Sequence, residues 1–485
     1  MKDTSTHVRL SPEARVQQLN AAMAGLNLFG GAQRPLQSEQ NSSFRLAPEP
    51  FFLEQEVITR LEALGSAFLA FYRAANRLYQ QSLRGRIPSF FHEYLDMGKP
   101  ERVLEYGRLN RFKHDVPAVI RPDVLLTDGG ITVTELDSVP GGIGLLAFLM
   151  REYGRMGYKL VGGADGMVTR FDQALRSLRP ELADPCVAIV VSDESEDYRG
   201  EMVWLAEALR NGGLSAHTCH PKDLIFRDDA LYLPVQEEGV TDPVLRKVDI
   251  IYRFFELFDL KNIPQIDLIL YAVRKEMVAI TPPLKSQLEE KMLFALFHHP
   301  GMESAWRKEL GSAVFEALQQ VLPASWIVDA RPVPPHAVIP NLTLGGAPVT
   351  DFRQLSAAGQ RERELVLKPS GFSPEAWGSR GVTIGHDVSG EVWTQRIEEA
   401  LQAFMQTPYV LQRFHKARKD GASYYDFGMR TIRKMHGRAR LCPYYMVAGD
   451  EIHLAGILAT VVPLNKKAIH GMVDAIMIPV AARAD

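Results

Sequence analysis

Three carboxylates, Asp123, Glu135 and Asp137, fall within the stretch that begins at Arg121. Val124, Leu125 and Leu126 form one apolar run, and Asp128, Gly129 and Gly130 follow it. Asp-Gly and Gly-Gly supply the positive φ that a tight hairpin needs. The run from Ile131 to Asp137 alternates, which predicts Ile131, Val133, Glu135 and Asp137 on one face and Thr132, Thr134 and Leu136 on the other. The hairpin brings Asp123 near Glu135 and Asp137 at its open end, so three carboxylates converge on one spot. Such a cluster repels itself unless a cation sits in it. Hard oxygen donors suit Mg²⁺, which takes one or two carboxylates plus substrate phosphates. Alone, the same residues also describe a solvated acidic edge.

Three features in the C-terminal part suit a nucleoside triphosphate. Lys368 ends a strand, 364–369, where it offers a point charge to phosphates. Gly378, Ser379, Arg380 and Gly381 form a small loop whose glycines let backbone N–H groups approach phosphate closely. Tyr409, Val410, Leu411 and Gln412 open an extended segment whose backbone groups, with the Gln412 amide, suit an adenine edge. Each has a plain alternative: a lysine reaching to water, a turn, a core strand.

The elements around these residues read as mixed α/β. Leu61, Leu64, Phe68, Phe71 and Tyr72 recur at helical steps between 54 and 84. Shorter helices are expected at 90–95, from Pro100, and at 145–158. Residues 186–191 are a continuous β-branched apolar run, as in a buried parallel strand. The helix 199–211 follows, closed by Gly212 and Gly213, then strands near 216–219 and 248–252. This rhythm predicts a Rossmann-like unit, without the glycine signature of a dinucleotide site. A helix is expected over 285–297, and antiparallel strands over 439–445, 451–458 and 472–479. Four regions follow: 1–90, an arm and helices; 91–180, with the acidic hairpin; 181–280, the Rossmann-like unit; and 281–485, with the lysine, glycine loop and apolar segment.

Composition sets bounds. The chain has 485 residues, 46% hydrophobic and 23% charged, with a net charge of −3. That excludes a global basic field and with it general nucleic-acid binding. Cys186, Cys219 and Cys442 have no metal spacing, which favours a reducing compartment. No apolar run reaches the roughly 20 residues of a membrane span, and the N-terminus has no hydrophobic signal core. A cytoplasmic protein, possibly a homodimer, is expected.

In this order the motifs resemble the circularly permuted ATP-grasp family, whose best-known member is glutathionylspermidine synthase. Family members carry Arg-x-Asp, then Glu-x-(Asn or Asp) shortly before Pro; here Arg121 and Asp123 are followed by Glu135, Asp137 and Pro140. They carry a lysine early in a helix that leads to a His-Pro corner, similar to Lys291 ahead of His299 and Pro300. A Val-x-Lys-Pro strand with a Gly-rich loop beyond it matches Val366, Lys368, Pro369 and Gly378–Gly381, and a hinge glutamine matches Gln412. Two features depart from the family: Asp137 stands where Asn is usual, and the late strand 455–460 lacks its usual Arg. Arg430, Arg433 or Arg440 is left to supply that charge.

The resemblance implies a permuted ATP-grasp fold with an inserted Rossmann-like unit, and an ATP-dependent carboxylate–amine ligase working through an acyl phosphate. It implies Asp123, Glu135 and Asp137 as Mg²⁺ ligands, Arg121 at the reacting charge, and Lys291 and Lys368 on the α- and β-phosphates. It also implies Gly378–Gly381 as a lid and Tyr409–Gln412 around adenine. The partners are then a small-molecule carboxylate and an amine. Arg108, Arg111, Lys113 and Arg121 hint at an anionic carboxylate substrate, or else describe a solvated surface. The alternatives are a catalytically idle or repurposed nucleotide-binding protein, a phosphotransferase, and an α/β protein with no nucleotide site.

Overall fold

The computed structural model describes residues 10–26, 28, 39–137, 139–236, 239–466, 468–469, 471 and 474–483. Its largest sheet has seven strands. In spatial order they are Phe51–Leu53, Ile476–Ala482, Glu451–Pro463, Thr431–Ala448, Val119–Thr127 and Gly130–Asp137, with Lys419–Asp426 also on the edge of Thr431–Ala448. The first pair is parallel and the other pairs are antiparallel. The N-terminal part thus shares a sheet with the last strand of the chain.

The expected long helix is Gln55–Leu83, and Leu61, Phe68, Phe71 and Tyr72 on its apolar stripe are buried. It lies against the sheet so closely that a Cβ on Gly65 would stand 2.8 Å from the Tyr445 ring. The Tyr445 hydroxyl donates to the Leu61 carbonyl at 2.5 Å. The other face of the sheet is partly covered by the helices Ile143–Arg155 and Gly166–Arg176; Met150 and Met167 of these pack on Gly456. The uncovered part of that face forms one wall of a cleft.

A second sheet, Ser325–Ile327, Tyr409–Arg413, Leu365–Pro369 and Thr383–Ile384, is antiparallel throughout. The helix Gly390–Gln402 backs it through buried Trp393, whose indole N–H donates to the Leu355 carbonyl at 3.0 Å. The Rossmann-like expectation corresponds to a parallel sheet of Ala279–Thr281, Ile250–Phe254, Val187–Val191 and Ala216–Cys219. Arg199–Asn211 is its crossover helix.

The helix expected over 285–297 is not continuous. A single 3₁₀ turn, Ser286–Leu288, precedes a short helix, Met292–His298. Glu289, Glu290 and Lys291 lie in the break and are fixed by three different partners: Arg253, Lys99 and Glu135. A regular helix turns about 100° per residue, so it would splay three consecutive side chains rather than direct them all inward. The three cysteines are buried and unpaired. Among the described residues no helix is long and apolar enough to cross a membrane.

Candidate active site

The acidic hairpin forms as expected, but with a β-bulge. Asp123 pairs with Glu135, whereas the next residue, Val124, pairs with Val133, which leaves Thr134 as the extra residue. This corrects the expected alternation. Directly opposed residues share a face, so Arg121, Asp123, Glu135 and Asp137 face the cleft while Val124 and Val133 face the core. Val133 and Glu135 are therefore on opposite faces. Without the bulge, a single alternating strand would have put both into the same environment. Thr134 anchors the irregularity: its hydroxyl donates to the Asp123 carbonyl at 3.2 Å, and its own carbonyl accepts the Lys368 ammonium at 2.9 Å.

The neighbouring strand extends the same face. Arg440 pairs with Leu125 on one side and Thr460 on the other, and Cys442 and Tyr444 follow at alternate positions. This resolves which late arginine belongs to the cleft. Arg430 pairs with Glu39 and Arg433 with Asp426, both at the exposed hairpin end, whereas Arg440 bonds the Asp123 carboxylate at 2.8 Å. The charge missing from 455–460 thus sits one strand over, opposite Thr460.

These side chains line a cavity of about 240 Å³. Arg121 bonds Asp137 at 2.8 Å and approaches Asp123 at 3.3 Å; Lys291 pairs with Glu135. The three carboxylates converge on one cavity as expected, with Arg121 beside them. Each carboxylate carries its own cation, and among the described residues no group of three potential ligands stands ready for a metal. The reason is electrostatic, since unpaired buried carboxylates would be costly. The donor chemistry still fits Mg²⁺, because Asp123 and Glu135 face each other and this ion needs only one or two carboxylates beside phosphate oxygens.

The pairing shows in the acidities. Burial raises the Asp123 carboxyl, but Arg440 and Arg121 outweigh it and hold it below its usual value. Burial likewise opposes the Glu135 shift, and Lys291 with Lys368 prevails, so that group too lies low. Asp137 is raised, because burial and the Glu135 charge exceed what Arg121 returns. Burial pushes the Lys368 ammonium down to about 8, with Glu135 resisting.

Lys368 does not line this cavity. Its ammonium is buried behind the hairpin, bonding the Gln412 side-chain oxygen at 2.8 Å as well as Thr134. A smaller void beside it is lined by Phe71, Glu135, Lys291, Val410 and Gln412. Gln412 and Lys368 are thus brought together with Glu135 and Lys291. The backbone expected to read adenine is already committed. Tyr409–Arg413 lies between Ser325–Ile327 and Leu365–Pro369, so its N–H and C=O groups serve two ladders.

The glycine loop also differs from expectation. Residues Pro374–Ser379 form a 3₁₀ turn that includes Gly378 and Ser379, and the Gly381 N–H is spent on the Glu375 carbonyl at 2.9 Å. Arg380 is exposed, with Glu194 at 3.9 Å. The residues of this loop that line the cavity are Gly371, Ala376 and Val382. Gly371 is required by proximity: a Cβ there would stand 2.0 Å from the Glu289 carbonyl oxygen. Arg108, Arg111 and Lys113 do not line the cavity, and Arg108 pairs with Asp96.

Sequence reasoning missed the far wall. The Pro-Gly-Gly loop contributes Gly141 and Gly142, facing Tyr198, Glu256 and Glu289. Buried Glu201 accepts the Gly142 and Leu145 amides at 2.6 and 2.9 Å, and Gly141 accepts the Tyr444 hydroxyl at 2.6 Å. The Gly142 and Leu145 amides are therefore occupied by the protein. The signal was present in the close approach its glycines allow, since a Cβ on Gly141 would stand 2.3 Å from the Tyr198 ring.

No protein-family model matches the chain, and no curated protein does. Among solved structures it is similar to a glutathione synthetase-like effector from Globodera pallida in apo form, at 10% identity over 98% of both chains with a TM-score of 0.57. A proposed γ-glutamylcysteine synthetase from Methylobacillus flagellatus aligns over 87% of this chain and 86% of its own, at 11% identity and a TM-score of 0.38. The first likeness shows that the chain shares the overall fold of that effector over nearly its whole length.

Proposed function

We propose that the chain is an ATP-dependent carboxylate–amine ligase of circularly permuted ATP-grasp type. A carboxylate oxygen attacks the γ-phosphorus of ATP and ADP leaves. The amine then attacks the acyl carbon and phosphate leaves, giving the amide. The observation that carries this reading is the interleaving of Arg121, Arg440 and Lys291 with Asp123, Glu135 and Asp137 on one cavity wall. An alternating set of both signs suits a ligand that brings phosphates to the cations and a divalent ion to the carboxylates.

Asp123, Glu135 and Asp137 are the residues that would hold Mg²⁺, which when bound supplies positive charge against phosphate oxygens. The other roles belong to the chain. Arg440 and Lys291 exchange their carboxylate partners for phosphate oxygens. Arg121 faces the charge that develops during transfer and on the acyl phosphate. Lys368, held by Gln412 and Thr134, adds charge from behind the hairpin. Gln412 is assigned to Lys368 rather than to adenine, and Tyr409, Val410 and Leu411 contribute through side chains. The segment Gly378, Ser379, Arg380 and Gly381 closes over the site and excludes water, because hydrolysis of the acyl phosphate is the competing loss.

The test is ADP release against pooled carboxylates and amines, with the product identified by mass. An amide formed together with ADP supports the reading. A stable phosphorylated product without amide identifies a phosphotransferase instead. Absence of any nucleotide binding sinks both.

A further inference from the structure

The cleft face does not end at the cavity. On the strand Thr431–Ala448, Lys434, His436, Arg438 and Arg440 occupy alternate positions and so share one face. Lys419, opposite Arg438 on the next strand, joins them. The row is cationic in a chain whose net charge is −3. Its outer members, Lys419, Lys434 and His436, are exposed. Among the described residues none of these three forms an ion pair; the ion pairs on these two strands are those of Arg433 with Asp426, Arg418 with Asp420, and Arg440 with Asp123.

The inner members, Arg438 and Arg440, stand deeper in the same face, towards Arg121. The Nε atoms of Arg438, Arg440 and Arg121 are buried and have no hydrogen-bond partner. Among the described residues, Arg438 reaches the Leu464 carbonyl at 3.0 Å. The opposite face of the strand is built differently: Arg433 is neutralised by Asp426, while Met435, Ala439 and Leu441 are buried in the core.

We propose that this row is a binding track for an extended acidic peptide whose end enters the cavity. Alternate residues of a strand stand roughly 7 Å apart. An extended chain carries its own alternate side chains at the same interval, so carboxylates at every second residue meet successive members of the row. Arg121 receives the last carboxylate, beside Asp123. The assignment of that end group as the reacting carboxylate rests on the ligase reading; the binding itself does not.

The test uses fluorescently labelled hexaglutamate as probe, followed by anisotropy with and without ATP and magnesium. The expected result is binding that weakens steeply with salt, because exposed charges are screened. Lys434→Glu and Lys419→Glu should each weaken it at least about fivefold, the roughly 1 kcal/mol scale of a lost exposed pair with added repulsion. Arg433→Glu, on the other face, should change it less than twofold, roughly. Nucleotide binding, measured separately, should be unaltered in all three variants, so failure of the track and failure of the ligase reading are distinguished. The proposal is overturned if hexaglutamate does not bind at low salt, if Arg433→Glu weakens it as much as Lys434→Glu, or if a single-stranded oligonucleotide binds the same face more tightly.

Discussion

The acidic hairpin and the strand Tyr409–Arg413 carry candidate site residues of equal standing in the sequence, yet the fold treats them differently. On the hairpin, four charged side chains share one face and line one cavity. On the other strand, the backbone is consumed by two flanking strands and one side chain, Gln412, is turned to holding Lys368. A function that lives in side chains follows from parity along one strand. A function that lives in backbone groups depends on whether neighbouring strands leave an edge open, and neighbours arrive from distant parts of the chain. The chemistry assigned to the hairpin is therefore the firmer claim, and substitutions in both regions test that ranking.

The largest effect is expected at Arg121. Its replacement by Ala should lower kcat by about 10²–10³-fold, the scale of one lost charge-stabilising donor, while nucleotide affinity changes little. A fall in affinity with kcat preserved would move Arg121 from the reaction to ground-state binding. Next is Glu135→Gln, which keeps shape and removes charge. Nucleotide affinity in the presence of magnesium should drop about tenfold or more, equivalent to some 1.4 kcal/mol, and the drop should vanish when magnesium is omitted. An equal loss without magnesium would mean that Glu135 serves only to hold Lys291.

The sequence carried much of this, for identifiable reasons. The helix Gln55–Leu83 and the turn at Asp128–Gly130 rest on local periodicity and φ preference, so they could be read. The buried strand Val187–Val191 and its following helix were legible for the same reason. The bulge at Thr134 was not, because its cause is non-local: Lys368, more than two hundred residues on, bonds the carbonyl that the bulge exposes. The break at Glu289–Lys291 was hidden likewise, since Arg253, Lys99 and Glu135 come from three other elements. Arg440 was visible only as one of three candidates until strand pairing placed it beside Asp123.

Lys368 lies where the two regions meet, and pH tests it. Its folded-state value, pushed down to about 8 by burial, lies below the ordinary 10.5. Between those values the unfolded chain binds the proton more tightly, so wild-type stability should rise as pH increases from 8 to 10.5 and carry the full penalty below 8. The shift corresponds to a contribution on the order of 3 kcal/mol. Lys368→Met should remove that part of the slope in urea unfolding at successive pH values. Identical slopes in the two proteins would show that Thr134, Gln412 and Glu135 fully offset the burial of the charge.

The smallest effect is expected at Arg380, and it bears most directly on the contrast between the regions. Arg380 is exposed and meets Glu194 only at 3.9 Å, a surface pair of a kind that contributes little. Arg380→Ala should therefore leave stability within roughly 0.5 kcal/mol in denaturant unfolding and nucleotide affinity unchanged in the absence of a second substrate. If the loop closes during turnover, the loss appears elsewhere: more ADP released per amide formed, because water reaches the acyl phosphate. A variant that loses nucleotide affinity outright would show that this arginine reaches the phosphates directly, and the loop would then rank with the hairpin rather than below it.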